Sequence, residues 1–193
     1  MHDDAPETWQ STPAIRRWSE IGHQDECLIE LEAIFYEASA TKSFVSDTER
    51  AAFQERWLGR YLTHDPRWFY VALAPGAIGN SGVVAGYLAG ALDDPARTSR
   101  FADIGYLPEL AALTARYPAH LHINLAPQFR SRGWGERLIA AFLEDARAGG
   151  APGVHVVTGR GVRNVRFYTG CGFVEVGSVI WRDRELVMLG RTL

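Results

Sequence analysis

The chain has 193 residues, 47% hydrophobic and 22% charged, enough to bury a full core and short enough that one domain is the expectation. A formal charge of −3 and a pI near 6.1 offer no basic face for nucleic acid, and no apolar stretch approaches the roughly 20 residues of a membrane span. The start Met1-His2-Asp3-Asp4 lacks an apolar signal region, and Cys27 and Cys171 are too few for a disulfide framework, so a cytoplasmic protein with two reduced thiols is expected.

Residues 1–13 are polar and Pro-containing and read as a tail, with a domain over 14–193. Ala14 to Glu20 is a candidate first strand. From Asp25 to Ala38, the residues Leu28, Leu31, Ile34, Phe35 and Ala38 recur at helical spacing. Ser46-x-x-Glu49 has the form of a capping box and opens a second helix, with Phe53, Trp57 and Tyr61 on one stripe read as core. Trp68 to Ala74 and Val83 to Leu92 are β-rich runs separated by Pro75-Gly76 and Asn80-Ser81-Gly82, the pattern of a hairpin. Asp93 to Tyr106 has no period and reads as an excursion. Pro108 suits a helix start, followed by Leu110, Leu113 and Tyr117. His120 to Leu125 alternates as a half-buried strand does. Gly133 to Arg147 is a strongly amphipathic helix with Leu138, Ile139, Phe142, Leu143 and Ala146 inward, closed by Gly149-Gly150. Val154 to Thr158, Val162 to Thr169, Phe173 to Ile180 and Arg184 to Leu189 then read as strand, helix, strand and strand. The order implies an α/β protein, a mixed sheet of about six to seven strands with helices on both faces.

The most informative stretch is Leu125-Ala126-Pro127-Gln128-Phe129-Arg130-Ser131-Arg132-Gly133-Trp134-Gly135, between a strand and that amphipathic helix. The first amides of a helix lack internal partners and carry the positive end of the macrodipole, so they accept phosphate oxygens. Gly133 and Gly135 are expected to let a pyrophosphate approach those amides, and Arg130 and Arg132 add pairing charge. The loop lacks the Gly-Lys-Ser/Thr of a Walker loop and the early glycines of a dinucleotide fingerprint.

Arg130-x-x-Gly133-x-Gly135, between strand and helix, resembles the coenzyme loop of the GNAT acetyltransferase superfamily. Asn164-Val165-Arg166-Phe167-Tyr168-Thr169-Gly170-Cys171-Gly172-Phe173 resembles that family's fourth helix and sixth strand, with Gly161 where the family usually has Asn. His120-Leu121-His122-Ile123, Ala33-Ile34-Phe35-Tyr36 and Met188 to Leu193 look like bacterial acetyltransferases related to the acetyltransferase-like domain of O-GlcNAcase. The resemblance implies the GNAT fold and an acetyl-CoA-dependent N-acetyltransferase that moves acetyl to a primary amine, on a small molecule or protein, by direct attack in a ternary complex. It implies coenzyme contacts at Leu125, Ala126, Arg130, Ser131, Arg132, Gly133, Trp134, Gly135, Asn164, Phe167 and Tyr168, an oxyanion donor at the Leu125 amide, and Tyr168 as the acid beside the sulfur. A protonated phenol suits that role.

His120 and His122 are candidate bases, since a histidine can take a proton at neutral pH; core or surface packing is the equal alternative. The family's usual base position falls near Ala119 and Leu121, and a β-bulge would bring the histidines into phase. His-x-His has no further ligands to make a metal site, and none is expected. Tyr36, Tyr70, Asp103, Tyr106 and Asn124 are candidate acceptor contacts, with packing as their competing role. A monomer or homodimer that binds no nucleic acid or membrane completes the expectation. The alternative is a non-catalytic acyl-CoA-binding or interaction module on the same fold.

Overall fold

The computed structural model describes residues 13–75 and 82–193; residues 1–12 of the expected tail and residues 76–81 of the expected hairpin loop lie outside them. The sequence of elements begins with β1 (Ala14–Arg17), shorter than expected because Trp18–Glu20 turns off as a 3-10 helix, and α1 (Gln24–Ala38). Cys27, Leu31, Ile34 and Phe35 form the buried stripe of α1. The helix α2 (Asp47–Gln54) starts at Ser46, whose Oγ accepts from the Glu49 amide at 3.2 Å, while the Glu49 carboxylate reaches one residue further back, to the Val45 amide at 2.6 Å. A π-helical turn, Glu55–Gly59, joins α2 to α3 (Arg60–His64).

The strands β2 (Phe69–Ala74), β3 (Val83–Ala91), β4 (Ala119–Leu125), β5 (Gly153–Gly159), β6 (Val174–Trp181) and β7 (Arg184–Thr192) complete one seven-stranded sheet of order β1-β2-β3-β4-β5-β7-β6. Every neighbouring pair is antiparallel except β4 with β5. Between β3 and β4 the expected helix after Pro108 is mostly 3-10 (Leu107–Leu110), with only α4 (Ala111–Thr114) as α-helix. After β4 come α5 (Trp134–Ala148) and α6 (Arg163–Gly170).

Because side chains alternate across a strand, the sheet feeds two cores. On one face Tyr70, Leu121, Val154 and Phe173 pack with Leu138, Phe142 and Ala146 of α5. On the other, Phe69, Val71, Tyr87 and Ala89 pack with Leu31, Phe35, Leu58, Tyr61 and Phe101. Helices therefore cover both faces, as the sequence implied. The excursion after β3 is pinned to α3 by ion pairs: Arg60 holds Asp103 at 2.8 Å, and Arg100 holds Asp65 at 2.8 Å and Asp93 at 3.0 Å. Among the described residues no helix is long and apolar enough to cross a membrane.

Candidate active site

The parallel pair in the middle of the sheet is short. β4 and β5 are in register only at Ala119 with Val154 and His120 with His155; beyond that point the strands part. β4 remains bound to β3 along its whole length, from Gly86 opposite Leu125 to Ala91 opposite His120. The Ala126 amide donates to the Ala85 carbonyl at 3.0 Å. Main-chain groups alternate in direction along an antiparallel ladder, so those of Leu125 and Ile123 point the other way, into the gap that β5 has left.

That gap is a cleft of about 650 Å³ lined by Ile123, Asn124 and Leu125 of β4, by Arg130, Ser131, Gly133, Gly135 and Glu136 of the following loop and helix start, by Arg163, Asn164, Arg166 and Phe167 of α6, and by Ala38 at the end of α1. Gly133 caps α5 in the left-handed region, at φ 79°, and no side chain accepts from the first amides of the helix. Those amides keep their hydrogen-bonding capacity and the positive end of the helix dipole.

The two glycines do different work. A Cβ on Gly133 would meet nothing within 4 Å, and its left-handed backbone is what favours glycine there. A Cβ on Gly135 would lie 2.8 Å from the Phe167 ring and 3.5 Å from Leu125 Cδ1. The contact of α5 with α6 is thus by itself a reason for glycine at 135, which also lines the cleft.

Arg130 is partly spent. Its Nε donates to the Leu125 carbonyl at 3.0 Å, and it pairs with Glu37 at the end of α1 at 2.6 Å. It braces the end of β4 while also lining the cleft. Arg163 donates to Ser131 Oγ at 3.0 Å from across the cleft. Arg163 and Arg166 were missed in the sequence; their i, i+3 spacing at the start of α6 was the available signal. Arg132 is exposed at the loop tip. Of the remaining expected contacts, Asn164 and Phe167 line the cleft. Trp134 turns its ring into the core and Ala126 is buried with its amide already bonded, so these two do not present side chains or, for Ala126, an amide to it.

Tyr168 lies in the α5-side core against Phe173 and beside Phe167. Burial pushes its phenol well above the usual range, so it stays protonated.

On the opposite face of the splay sits a small cavity of about 20 Å³, lined by Trp57, Tyr61, Ile104, Tyr106, Leu107, His120, His122 and His155. The Tyr61 hydroxyl and His122 Nε2 are 3.1 Å apart, and the Trp57 ring meets the His122 ring edge-on at 5.0 Å. His120 Nε2 is buried without a protein partner. Desolvation, aided by neighbouring His155 and Arg60, pushes His122 down to about 4, and desolvation holds His155 at about 4. His120 is lowered for the same first reason. All three are neutral at pH 7. Trp57 and Tyr61, read from the sequence as core, do pack in or against it, and they also wall this cavity. No β-bulge interrupts β4 against β3; the histidines reach the cavity by plain alternation.

The expected acceptor contacts separate. Tyr106 lines the cavity. Asn124 lines the cleft and donates to the Tyr87 hydroxyl at 2.8 Å. Tyr36 stacks under Arg50, 4.3 Å from the ring centroid, among Phe35 and Phe44. Asp103 is held by Arg56 and Arg60, which push its carboxyl down to about 2 against the opposing effect of its burial. Tyr70 is on the wrong face: it packs among the α5 residues and donates to Asp145 Oδ2 at 2.5 Å, in a network with Arg17. It is removed from the acceptor side by the parity of β2. Among the described residues no cluster of three or more potential metal ligands occurs.

A sequence profile of the Acetyltransferase (GNAT) family matches residues 28–173, more than half of the chain. The chain belongs to the GNAT acetyltransferase family. Solved structures place this GNAT protein among related folds. It is similar to the structure described as SsHAT, at 24% identity and TM-score 0.68, over 94% of this chain and 98% of that one. It is similar to the putative acetyltransferase yncA of Salmonella typhimurium, solved with acetyl-CoA, at 17% identity and TM-score 0.59, over 95% of each chain. It is also similar to the Drosophila melanogaster polyamine N-acetyltransferase, at 16% identity and TM-score 0.64, over 94% of this chain and all of that one.

Proposed function

We propose that this GNAT protein is an acetyl-CoA-dependent N-acetyltransferase that transfers acetyl to a primary amine by direct attack in a ternary complex. The observation that carries the reading is the parting of β4 from β5, which leaves the Ile123 and Leu125 main chain facing a cleft that ends at the uncapped start of α5. Strands from Ala14 to Thr192 share one sheet, which supports treating 14–193 as one catalytic domain.

Acetyl-CoA, the donor named for the Salmonella relative, fits these residues. The first amides of α5, with Ser131, Arg163, Arg166 and the exposed Arg132 nearby, suit a diphosphate. The Leu125 and Ile123 main chain can pair with an amide-bearing arm, and Asn164 and Phe167 form the opposite wall. The Leu125 N–H is the donor available to the acetyl oxygen as negative charge develops on it. The donor supplies a thioester-activated acetyl group.

The chain supplies placement and proton handling. The neutral amine nitrogen bonds to the acetyl carbon, the carbon–sulfur bond breaks, one proton leaves the nitrogen and one joins the sulfur. His122 is proposed to receive the first. In the tautomer whose Nε2–H donates to the Tyr61 oxygen, the Nδ1 lone pair is open. A base near 4 is too weak to strip an ammonium, but strong enough for the far more acidic nitrogen that attack creates. Tyr168 is proposed as the source of the second proton.

Two measurements check this. Arg163→Ala together with Arg166→Ala is expected to raise the Kd for CoA about tenfold at low salt and less at high salt, read by calorimetry; unchanged affinity would remove α6 from the coenzyme site. Tyr168→Phe is expected to lower kcat at least tenfold with CoA affinity unchanged, and equal kcat would take Tyr168 out of the mechanism. A protein that binds CoA and turns over no amine would be a binding module.

A further inference from the structure

Four carboxylates flank the histidine cavity, on the segments that wall it, and an arginine holds each one. Asp103 pairs with Arg56 and Arg60, Asp65 and Asp93 share Arg100, and Asp94 faces Arg97 at 3.5 Å. Among the described residues no acidic side chain lines the cavity itself; its walls include Trp57, Tyr61, Tyr106, Ile104 and Leu107 beside the neutral histidines. Arg60 and Arg100 act on His122 and His120 to disfavour a further proton, while Asp94 acts the other way on His155, so the charges around the cavity are balanced and no carboxylate is left over.

This arrangement discriminates between amines. An acceptor with a second ammonium, or a peptide with neighbouring lysines, needs a carboxylate for each extra charge it brings out of water. Here each carboxylate already has a guanidinium partner, so none is left to take an added cation. An uncharged aromatic or branched aliphatic body meets ring faces and apolar side chains instead. The cavity, at about 20 Å³, takes little more than an amino group, so the body must rest at its mouth against Trp57 and Tyr106, both only half-buried.

We propose that the acceptor is a small primary amine on an uncharged apolar body, seated against Trp57 and Tyr106 with its nitrogen directed to His122, and that polyamines and basic peptides are discriminated against. This rests on reading the cleft beyond as the acetyl-CoA site.

The test is thiol release from acetyl-CoA at pH 8 with 2-phenylethylamine, spermidine or a lysine-rich peptide as acceptor, with CoA binding measured on the same protein by calorimetry. The expected result is a kcat/KM for 2-phenylethylamine at least tenfold above either polycation. Trp57→Ala should lose most of that preference through KM, and its circular dichroism and melting curve should confirm a folded protein; the milder Trp57→Phe should keep it. Spermidine or the peptide turned over as well as 2-phenylethylamine would overturn the acceptor proposal alone; none of the three turned over, with CoA bound, would overturn it and favour the binding-module reading. Absence of CoA binding would overturn the acetyltransferase reading together with it.

Discussion

Lowering the pH from 7 to 5 is expected to remove several kcal/mol of folding stability, more than surface charge alone would account for. His155 is 2% exposed and held near 4, against 6.5 for an unrestrained imidazole. Its folded-state value lies below its unfolded one, so the unfolded chain binds more protons between the two, and stability falls as pH drops through that window. Linkage puts the loss from His155 alone at about 2 kcal/mol at pH 5, and about 3 kcal/mol once pH is below 4. His122 adds a loss of the same sign over the same window, and His120 adds to it. A domain with a total of ~5–15 kcal/mol cannot absorb much of this. Urea midpoints at pH 7 and pH 5 measure it, and His155→Gln should flatten the dependence. Equal midpoints at the two pH values would mean that the buried imidazoles titrate normally.

Gly135→Ala is expected to damage both stability and coenzyme binding. The added methyl would stand 2.8 Å from the Phe167 ring, so the ring must swing away from α5, and the open direction is the cleft that Phe167 already lines. Overpacking of this kind costs about 1–3 kcal/mol, which for a chain of this size lowers Tm by roughly 2–10 °C. The displaced ring would then occupy space needed by the ligand, and the Kd for acetyl-CoA should rise. Gly133→Ala is the control: it meets open space but must hold a φ of 79°, a strain of about 1 kcal/mol. A Gly135→Ala protein that melts and binds like the wild type would show that α6 can retreat from α5 freely.

Most of the architecture was legible because it rests on periodicity. The alternation of His120 to Leu125, the inward stripe of α5 from Leu138 to Ala146 and the Gly-Arg loop between them are written in nearby positions, where a period of 2 or 3.6 can be read directly. The family motifs added a second, independent reading of the same segments. What the sequence did not reveal depends on which residues distant in the chain come to face each other. Tyr70 looked available until the parity of β2 turned it toward Asp145. Asp103 looked like a ligand until Arg56 and Arg60, more than forty positions earlier, closed on it. That Gly135 is also tightly packed against Phe167 could not be read from its place in the loop. Arg163 and Arg166 had no marker beyond their spacing.

The π-helical turn at Glu55–Gly59 has a consequence for how the histidine cavity could have arisen. Such a turn accommodates one more residue than the α-helix around it, and each residue of an α-helix rotates the chain after it by about 100°. Deleting one position within Glu55–Gly59 would restore a regular helix and swing the Tyr61 hydroxyl from His122 toward a different sector of the axis. Trp57, inside the turn, and Tyr61, just past it, bracket His122 from the same side. The wall of this cavity is therefore a matter of helix phase: a single-codon loss far from the Gly-Arg loop would leave the sheet and the cleft in place while turning Tyr61 away from His122 and Arg60 away from Asp103.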